Sequence, residues 1–467
     1  MINEKRPNHK PSMRKAEKAF QDAFLSSKAD AIQLYQVRKS YQRIFTPIVL
    51  LWCLIFQRLN PDHSCDAVVA ELRAGTFDRL AQQPGKLPLS QRQRSESNAG
   101  YCQARKRLPF EFLEQAMQSM VKRMSCWTVP DPVTQDRPIV LLDGSTLLAR
   151  PTPELERTFG RHKTAKRVSY WVVIRIVVLF CLRTGGCLGM KEGSLKTSEQ
   201  ELGKACLLHQ PAGCIYIADR GFGVFSVVQA IRHSQGDAIV RLSRPRAQKL
   251  YPQQLYPGTD HEVVWCHSKK DQVDKRMSSD PITGRLIYVR LERKGFRTRD
   301  LYLFTTLTDR QAFSRAKLIE LYGLRWHVEV DLRYVKRTLD LYLLEAKSVD
   351  MLRKELVAGL IAFNLLRLFA TQAAQQAGFS PREMSLTQVL RRVTTFLFEE
   401  LSRGTISPWI WLQFLDRLAQ CRLTPKEIHL PEPRWVRPKD KSFPEFWDDR
   451  NAARARYLQR CLEQAVF

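Results

Sequence analysis

Two short apolar runs, each closed by an aspartate, constrain the fold of this chain more than any other feature. Ile139-Val-Leu-Leu leads into Asp143, and Gly213-Cys-Ile-Tyr-Ile-Ala leads into Asp219. Runs this short, bounded by turn residues, read as buried strands. Residues 168–182 and Cys187–Gly193 read as further strands, with Gly185-Gly186 as the hairpin turn between them. Residues 197–208 open on a Thr-Ser-Glu-Gln helix-start signal, residues 224–232 have helical spacing, and residues 238–242 form another strand. Strands that alternate with helices predict an α/β sheet. If the two strands are neighbours, an aspartate at the C-terminal end of each brings both carboxylates to one sheet edge.

A third carboxylate stands out by its company. In Tyr322-Gly-Leu-Arg325-Trp326-His-Val-Glu329-Val-Asp-Leu-Arg333-Tyr-Val-Lys336, an uninterrupted α-helix would set Arg325 at about 300° from Tyr322, Glu329 at about 340°, Arg333 at about 20° and Lys336 at about 320°. One acid would then share a narrow face with three cations and a phenol. Asp331 falls at about 180°, on the far side, and is set aside as a metal ligand; Glu320 is the fallback. As a surface ladder, these cations would compete for Glu329 with little gain. Around a scissile phosphate each has a task.

Hard divalent cations such as Mg²⁺ prefer carboxylate oxygen. Held against a phosphodiester, such ions activate a water or 3′-hydroxyl and stabilise the leaving oxygen. Asp143, Asp219 and Glu329 are the candidate ligands. Composition agrees: 75 Lys+Arg against 47 Asp+Glu give a formal charge of +28. So large an imbalance calls for an acidic partner, most economically nucleic acid. Anionic membrane is the rival, but no apolar run reaches the roughly 20 residues needed to span a bilayer. The N-terminal stretch lacks a signal peptide's apolar segment. The 11 cysteines contain no Cys-x-x-Cys pair, and adjacent Cys266 and His267 make a poor zinc site, which points to reduced thiols in a cytoplasmic protein.

The chain divides by character into a basic N-terminal arm (1–22), a helical DNA-binding domain (23–135), a catalytic core (136–242 and 307–350), a basic β-rich insertion (243–306) and a helical C-terminal region with a Pro-rich tail (351–467). Within the second, residues 95–109 form a short capped helix whose basic end, with Arg105 and Arg107, suits either DNA or solvent. Trp265, in the insertion, is a candidate for stacking on a base.

Tyr322, Arg325, Glu329 and Lys336 match the Tyr-x2-Arg-x3-Glu-x6-Lys signature of the insertion-sequence-4 family of DDE transposases, and the chain resembles that family over roughly residues 40–375. Asp143-Gly-Ser-Thr and Asp219-Arg-Gly-Phe-Gly resemble its two aspartate segments, and residues 153–160 and 101–109 are also similar. The resemblance implies a ribonuclease H-like core with a β-rich insertion, with Asp143, Asp219 and Glu329 binding Mg²⁺ (Mn²⁺ substituting). It implies cutting at terminal inverted repeats, joining of 3′ ends to target DNA, and a hairpin intermediate in better-understood members. Tyr322, Arg325 and Lys336 would then hold backbone phosphate. Trp326 would wedge or stack a flipped base, although it reads equally well as core. Synapsis of two double-stranded ends implies at least a homodimer on DNA. Two alternatives remain open from sequence: a DNA-binding regulator without chemistry, and a nuclease that cuts without joining.

Overall fold

The computed structural model describes residues 44–78, 85–126, 137–163, 168–208, 210–268, 280–291, 299–400, 408–423 and 445–446, with scattered positions between 452 and 459. The basic arm, the cations of 269–279 and 292–298, and most of the Pro-rich tail lie outside the described residues.

Among the described residues, the helices of the N-terminal part are α1 (Pro47–Leu59), α2 (Cys65–Ala74), α3 (Leu89–Arg92), α4 (Ala99–Arg107) and α5 (Phe110–Cys126). Next come β1 (Ile139–Ala149), α6 (Pro153–Thr158), β2 (Arg161–Lys163), β3 (Val168–Cys181), β4 (Cys187–Gly193), α7 (Glu199–Leu207), β5 (Ile215–Ala218), α8 (Phe225–His233) and β6 (Asp237–Leu242). The chain continues with α9 (Arg244–Leu250), β7 (Asp260–Trp265), β8 (Ile282–Leu291), β9 (Arg299–Thr305), α10 (Arg315–Gly323), α11 (Trp326–Arg333) and β10 (Leu343–Leu344). The remainder comprises α12 (Val349–Ala377), α13 (Leu386–Thr395), α14 (Pro408–Ala419) and β11 (Glu445–Phe446).

The strands form one mixed sheet in the order β11-β3-β1-β5-β6-β9-β8-β7, with β2 and β4 on β3 and β10 on β1. The centre, β1-β5-β6, is parallel, and both flanks are antiparallel. Alternation decides the faces. Val140, Leu142, Val177 and Leu179 point into one apolar layer, covered by α7 and α8. Leu141, Leu147, Ile176 and Val178 point into the other, which they share with the N-terminal helices and α12. The result is a helix–sheet–helix sandwich of the mixed α/β class.

Local signals explain several element ends. Ser198 caps α7, its hydroxyl accepting from Glu201 N–H while the Glu201 carboxylate accepts from Ser198 N–H. Gly185, at φ 75°, makes the turn between β3 and β4, a conformation glycine adopts without strain. At α8, Gly223 lies where a Cβ would stand 2.1 Å from the Arg241 carbonyl oxygen, so only glycine fits.

The β-rich segment at 243–306 extends the central sheet: β9 pairs with β6, and β8 and β7 follow on the same sheet. The helices before β1 are tied to α12. Buried Lys354 of α12 donates to the carbonyls of Arg105 and Lys106 at the end of α4, and Arg58 of α1 pairs with Glu355. Finally, α12 has 29 residues and is long and apolar enough to cross a membrane, contrary to the expectation that no segment reaches that length. However, 94% of its most apolar window is buried inside the protein, as befits a core helix.

Candidate active site

Register brings the two aspartates together. The parallel ladder between β1 and β5 ends at Leu142 opposite Ala218, so Asp143 and Asp219 are the next residues on strands roughly 4.8 Å apart. Both belong to the odd-numbered face, on the side of α11. Asp143 is not at a strand end, as its apolar run suggested. β1 continues to Ala149 because its antiparallel pairing with β3 persists to Ala149 opposite Val172. Only its parallel partner stops at the site, leaving Asp143 open on that edge.

Each aspartate is oriented by the backbone that follows it. Gly144 N–H donates to Asp143 Oδ1 at 2.8 Å, and Gly221 N–H donates to Asp219 Oδ1 at 2.8 Å. Burial pushes the Asp143 carboxyl up to about 6; the Gly144 N–H opposes this, the Asp219 charge adds to it, Arg325 opposes it, and Glu329 adds to it.

Glu329 arrives from α11, which packs Val328 and Leu332 into the core beneath it. The expected uninterrupted helix is broken here. α10 ends at Gly323, and Arg325 N–H and Val328 N–H bond three residues back, to the carbonyls of Tyr322 and Arg325. Beyond Arg333 the turn widens: Leu339 N–H reaches Tyr334 O, five residues back. A tightened turn before the glutamate and a widened one after it replace the ideal 100° progression, yet the signature still converges on the aspartates. Arg325 stands 3.5 Å from Asp143 Oδ2 and donates to Glu329 Oε1 at 2.7 Å. Lys336 donates to Ser145 Oγ at 3.2 Å, two residues beyond Asp143 on the same face. Tyr322 is buried, which raises its phenol, with the Arg325 and Arg241 charges opposing the shift. Burial lowers the Lys336 ammonium, helped by the neighbouring Arg337.

These acids suit a hard divalent cation in chemistry: carboxylate oxygens carried by two adjacent chain segments, with burial disfavouring the Asp143 charge. Among the described residues no three acid, histidine or cysteine side chains are grouped closely enough to hold a metal ion. The Arg325 guanidinium instead lies between Asp143 and Glu329.

The other expected residues divide. Trp326 is exposed (56%) at the start of α11, and Arg333 is exposed on the same helix. Arg107 is exposed at the end of α4. Trp265 does not suit base stacking: it is buried, packed edge-on against Phe225 and Phe304. Arg105 turns inward, its guanidinium over the Tyr101 ring and donating to Gln57 Oε1 at 3.2 Å, so it braces the helices rather than facing DNA. Asp331 is fully buried between Arg367 and Arg382. Cys266 is a free, exposed thiol.

Sequence reading missed Glu199. At the start of α7, its carboxylate lies against the glycine after Asp143: a Cβ on Gly144 would be 2.8 Å from its carboxyl carbon. A Cβ on Gly221 would be 3.1 Å from Asp219 Oδ1 and 3.8 Å from Glu199 Oε2. Arg175 Nε is 3.9 Å from Glu199 Oε1. The only sequence signal was the glutamate of a helix-start motif, which conceals any second role.

The transposase DDE domain family matches residues 134–365, a span that contains all three acids. Transposase InsG for insertion sequence element IS4 of Escherichia coli (strain K12) is 22% identical over 356 residues, covering 73% of this chain and 73% of the relative. A solved piggyBac transposase synaptic complex with hairpin DNA aligns over 89% of this chain and 86% of its own at 10% identity, with a TM-score of 0.42, a likeness too distant to carry an argument.

Proposed function

Because the chain belongs to the DDE transposases of the insertion-sequence-4 family, we propose that it cuts a mobile element at its terminal inverted repeats and joins the freed 3′ ends to target DNA. The observation that carries this reading is the adjacency of Asp143 and Asp219 across the β1–β5 register, faced by the Arg325–Glu329 pair. On this reading the central sheet is a ribonuclease H-like core, and Asp143, Asp219 and Glu329 hold Mg²⁺, with Mn²⁺ as a substitute. Such an ion supplies activation of a water or 3′-hydroxyl and stabilisation of the leaving oxygen.

The remaining work falls to the chain. Gly144 and Gly221 N–H groups fix which oxygens of Asp143 and Asp219 are free to face the phosphate. Arg325, paired with Asp143 and Glu329 in the free protein, exchanges those partners for a backbone phosphate. Lys336 and Tyr322 bind the same backbone on either side. Trp326, exposed beside them, stacks a base extruded at the cut, as a hairpin intermediate requires. Two ends held together call for a homodimer on double-stranded DNA.

The test is cleavage of a duplex carrying one element end, in Mg²⁺. Asp143→Asn and Glu329→Gln should abolish cutting and leave binding nearly intact. If either protein cuts at the wild-type rate, the assignment of the acids is wrong. Wild-type protein that binds ends but never cuts would be a regulator of its element, and one that nicks without ever producing joined strands would be a nuclease.

A further inference from the structure

A cleft of about 760 Å³ opens beside the Asp219 turn, between the N-terminal ends of α7, α8 and α9 and the end of β7. Its wall and the active site share one piece of backbone. Gln200 Nε2 donates to Gly221 O at 2.9 Å, and Arg246 donates to Gly223 O at 2.6 Å, while Gly221 N–H holds Asp219.

Part of the lining offers donors that the fold does not use. Ser226, in the first turn of α8, is 8% exposed and lines the cleft, and its hydroxyl has no hydrogen-bond partner among the described residues. Val224 precedes α8 and its side chain cannot cap the helix, so the first-turn N–H groups also lack a side-chain acceptor. Ser243 starts α9 and makes no side-chain cap bond either. Lys204 and Lys249 line the cleft without an ion pair among the described residues, and Arg246 adds a third cation. The one acid in the lining, Glu201, is committed to the Ser198 N–H.

The Ser226 side chain is largely buried, and its hydroxyl, with no partner among the described residues, is left to a ligand acceptor in the cleft. The cations and the uncapped N-terminus of α8 specify that acceptor as anionic. The donors are spread along a cleft too large for one phosphate, which selects a ligand with repeated phosphates. We propose that this cleft carries the DNA strand to one side of the scissile phosphate, with Ser226, Lys204 and Lys249 gripping its phosphodiester backbone. The proposal rests on the transposase reading and adds the path of the substrate.

The test uses the full chain, with fluorescently labelled duplex and single-stranded DNA titrated between about 50 and 200 mM salt. Replacing both lysines (Lys204→Gln with Lys249→Gln) should weaken binding roughly tenfold and reduce the slope of log affinity against log salt by roughly 1.8 on duplex or 1.4 on single strand. Ser226→Ala should weaken binding without lowering the thermal midpoint, since the hydroxyl supports no contact within the fold. Arg325→Ala serves as the control. If it flattens the slope and the double lysine variant does not, the cleft is not the DNA path and the transposase reading stands. A fall in thermal midpoint for Ser226→Ala would make that hydroxyl structural and overturn its role here. Wild-type protein with no salt-dependent affinity for either DNA would overturn the transposase reading itself.

Discussion

Asp331 and Glu329 lie two residues apart on one helix, and their replacements should fail in opposite ways. The Asp331 carboxylate is fully buried and accepts from Arg367 and, with both oxygens at 2.8 Å, from Arg382. Arg367 itself is 2% exposed. Asp331→Ala therefore leaves a guanidinium buried without its counter-charge, a loss of about 3–5 kcal/mol. The Glu329 side chain is 39% exposed, and its one described ion pair is with Arg325, four residues back. Such a pair contributes about 0.3–0.5 kcal/mol, so Glu329→Gln should leave stability within that margin. With a urea dependence of about 3 kcal/mol per molar, Asp331→Ala should lower the unfolding midpoint by roughly 1 M or more, while Glu329→Gln hardly moves it. Tryptophan fluorescence during urea titration reads both. An Asp331→Ala protein with a wild-type midpoint would refute the assignment of Asp331 to the core, and with it the separation of structural from chemical acid on this helix.

Other outcomes follow from the same geometry. Arg325→Ala and Lys336→Ala should each reduce the salt slope of end binding by about one, measured by anisotropy. Trp326→Ala should shift stability by less than about 0.5 kcal/mol, because the ring is exposed. It should nevertheless suppress hairpin product, seen on a denaturing gel, by roughly 5- to 150-fold, the worth of one base stack. Gly223→Ala places a methyl against the Arg241 carbonyl and should destabilise the protein by about 3 kcal/mol or more, read as a drop in soluble yield and melting temperature.

The parts of the fold that could be read from sequence were those with local causes. The alternation of short apolar runs with helices marked β1, β3, β4, β5 and β6, and the capping signal marked the start of α7 to within a residue or two. Asp143 and Asp219 stood out because a carboxylate that ends an apolar run is conspicuous, and the β1–β5 register sets them side by side. What escaped the sequence depends on neighbours distant along the chain. Asp143 lies mid-strand because β3 is longer than β5, a property of pairing partners. Trp265 reads as an exposed aromatic in a basic stretch until β7 and β8 join the sheet and Phe225 and Phe304 close over it. Arg105 belongs to a basic cluster, but Tyr101 and Gln57 draw it inward. The ideal helical wheel placed the signature on one face, whereas two departures from regular winding now achieve that convergence. Glu199 had no signal of its own, since its role depends on two missing side chains, at Gly144 and Gly221.

The long buried helix α12 has a practical consequence for anyone dividing this protein. At about 1.5 Å per residue it extends roughly 43 Å, and Arg58, Arg105 and Lys106 at one end and Asp331 farther along are all tied to it. The stretch shared with the transposase DDE domain family stops at residue 365, in the middle of this rod. An expression fragment trimmed to that boundary would remove Arg367, the counter-charge of Asp331, together with Leu366, Leu368 and Phe369, and would leave an unshielded greasy seam along the sheet. Such a fragment should aggregate, so workable truncations must begin ahead of α1 and run past α14.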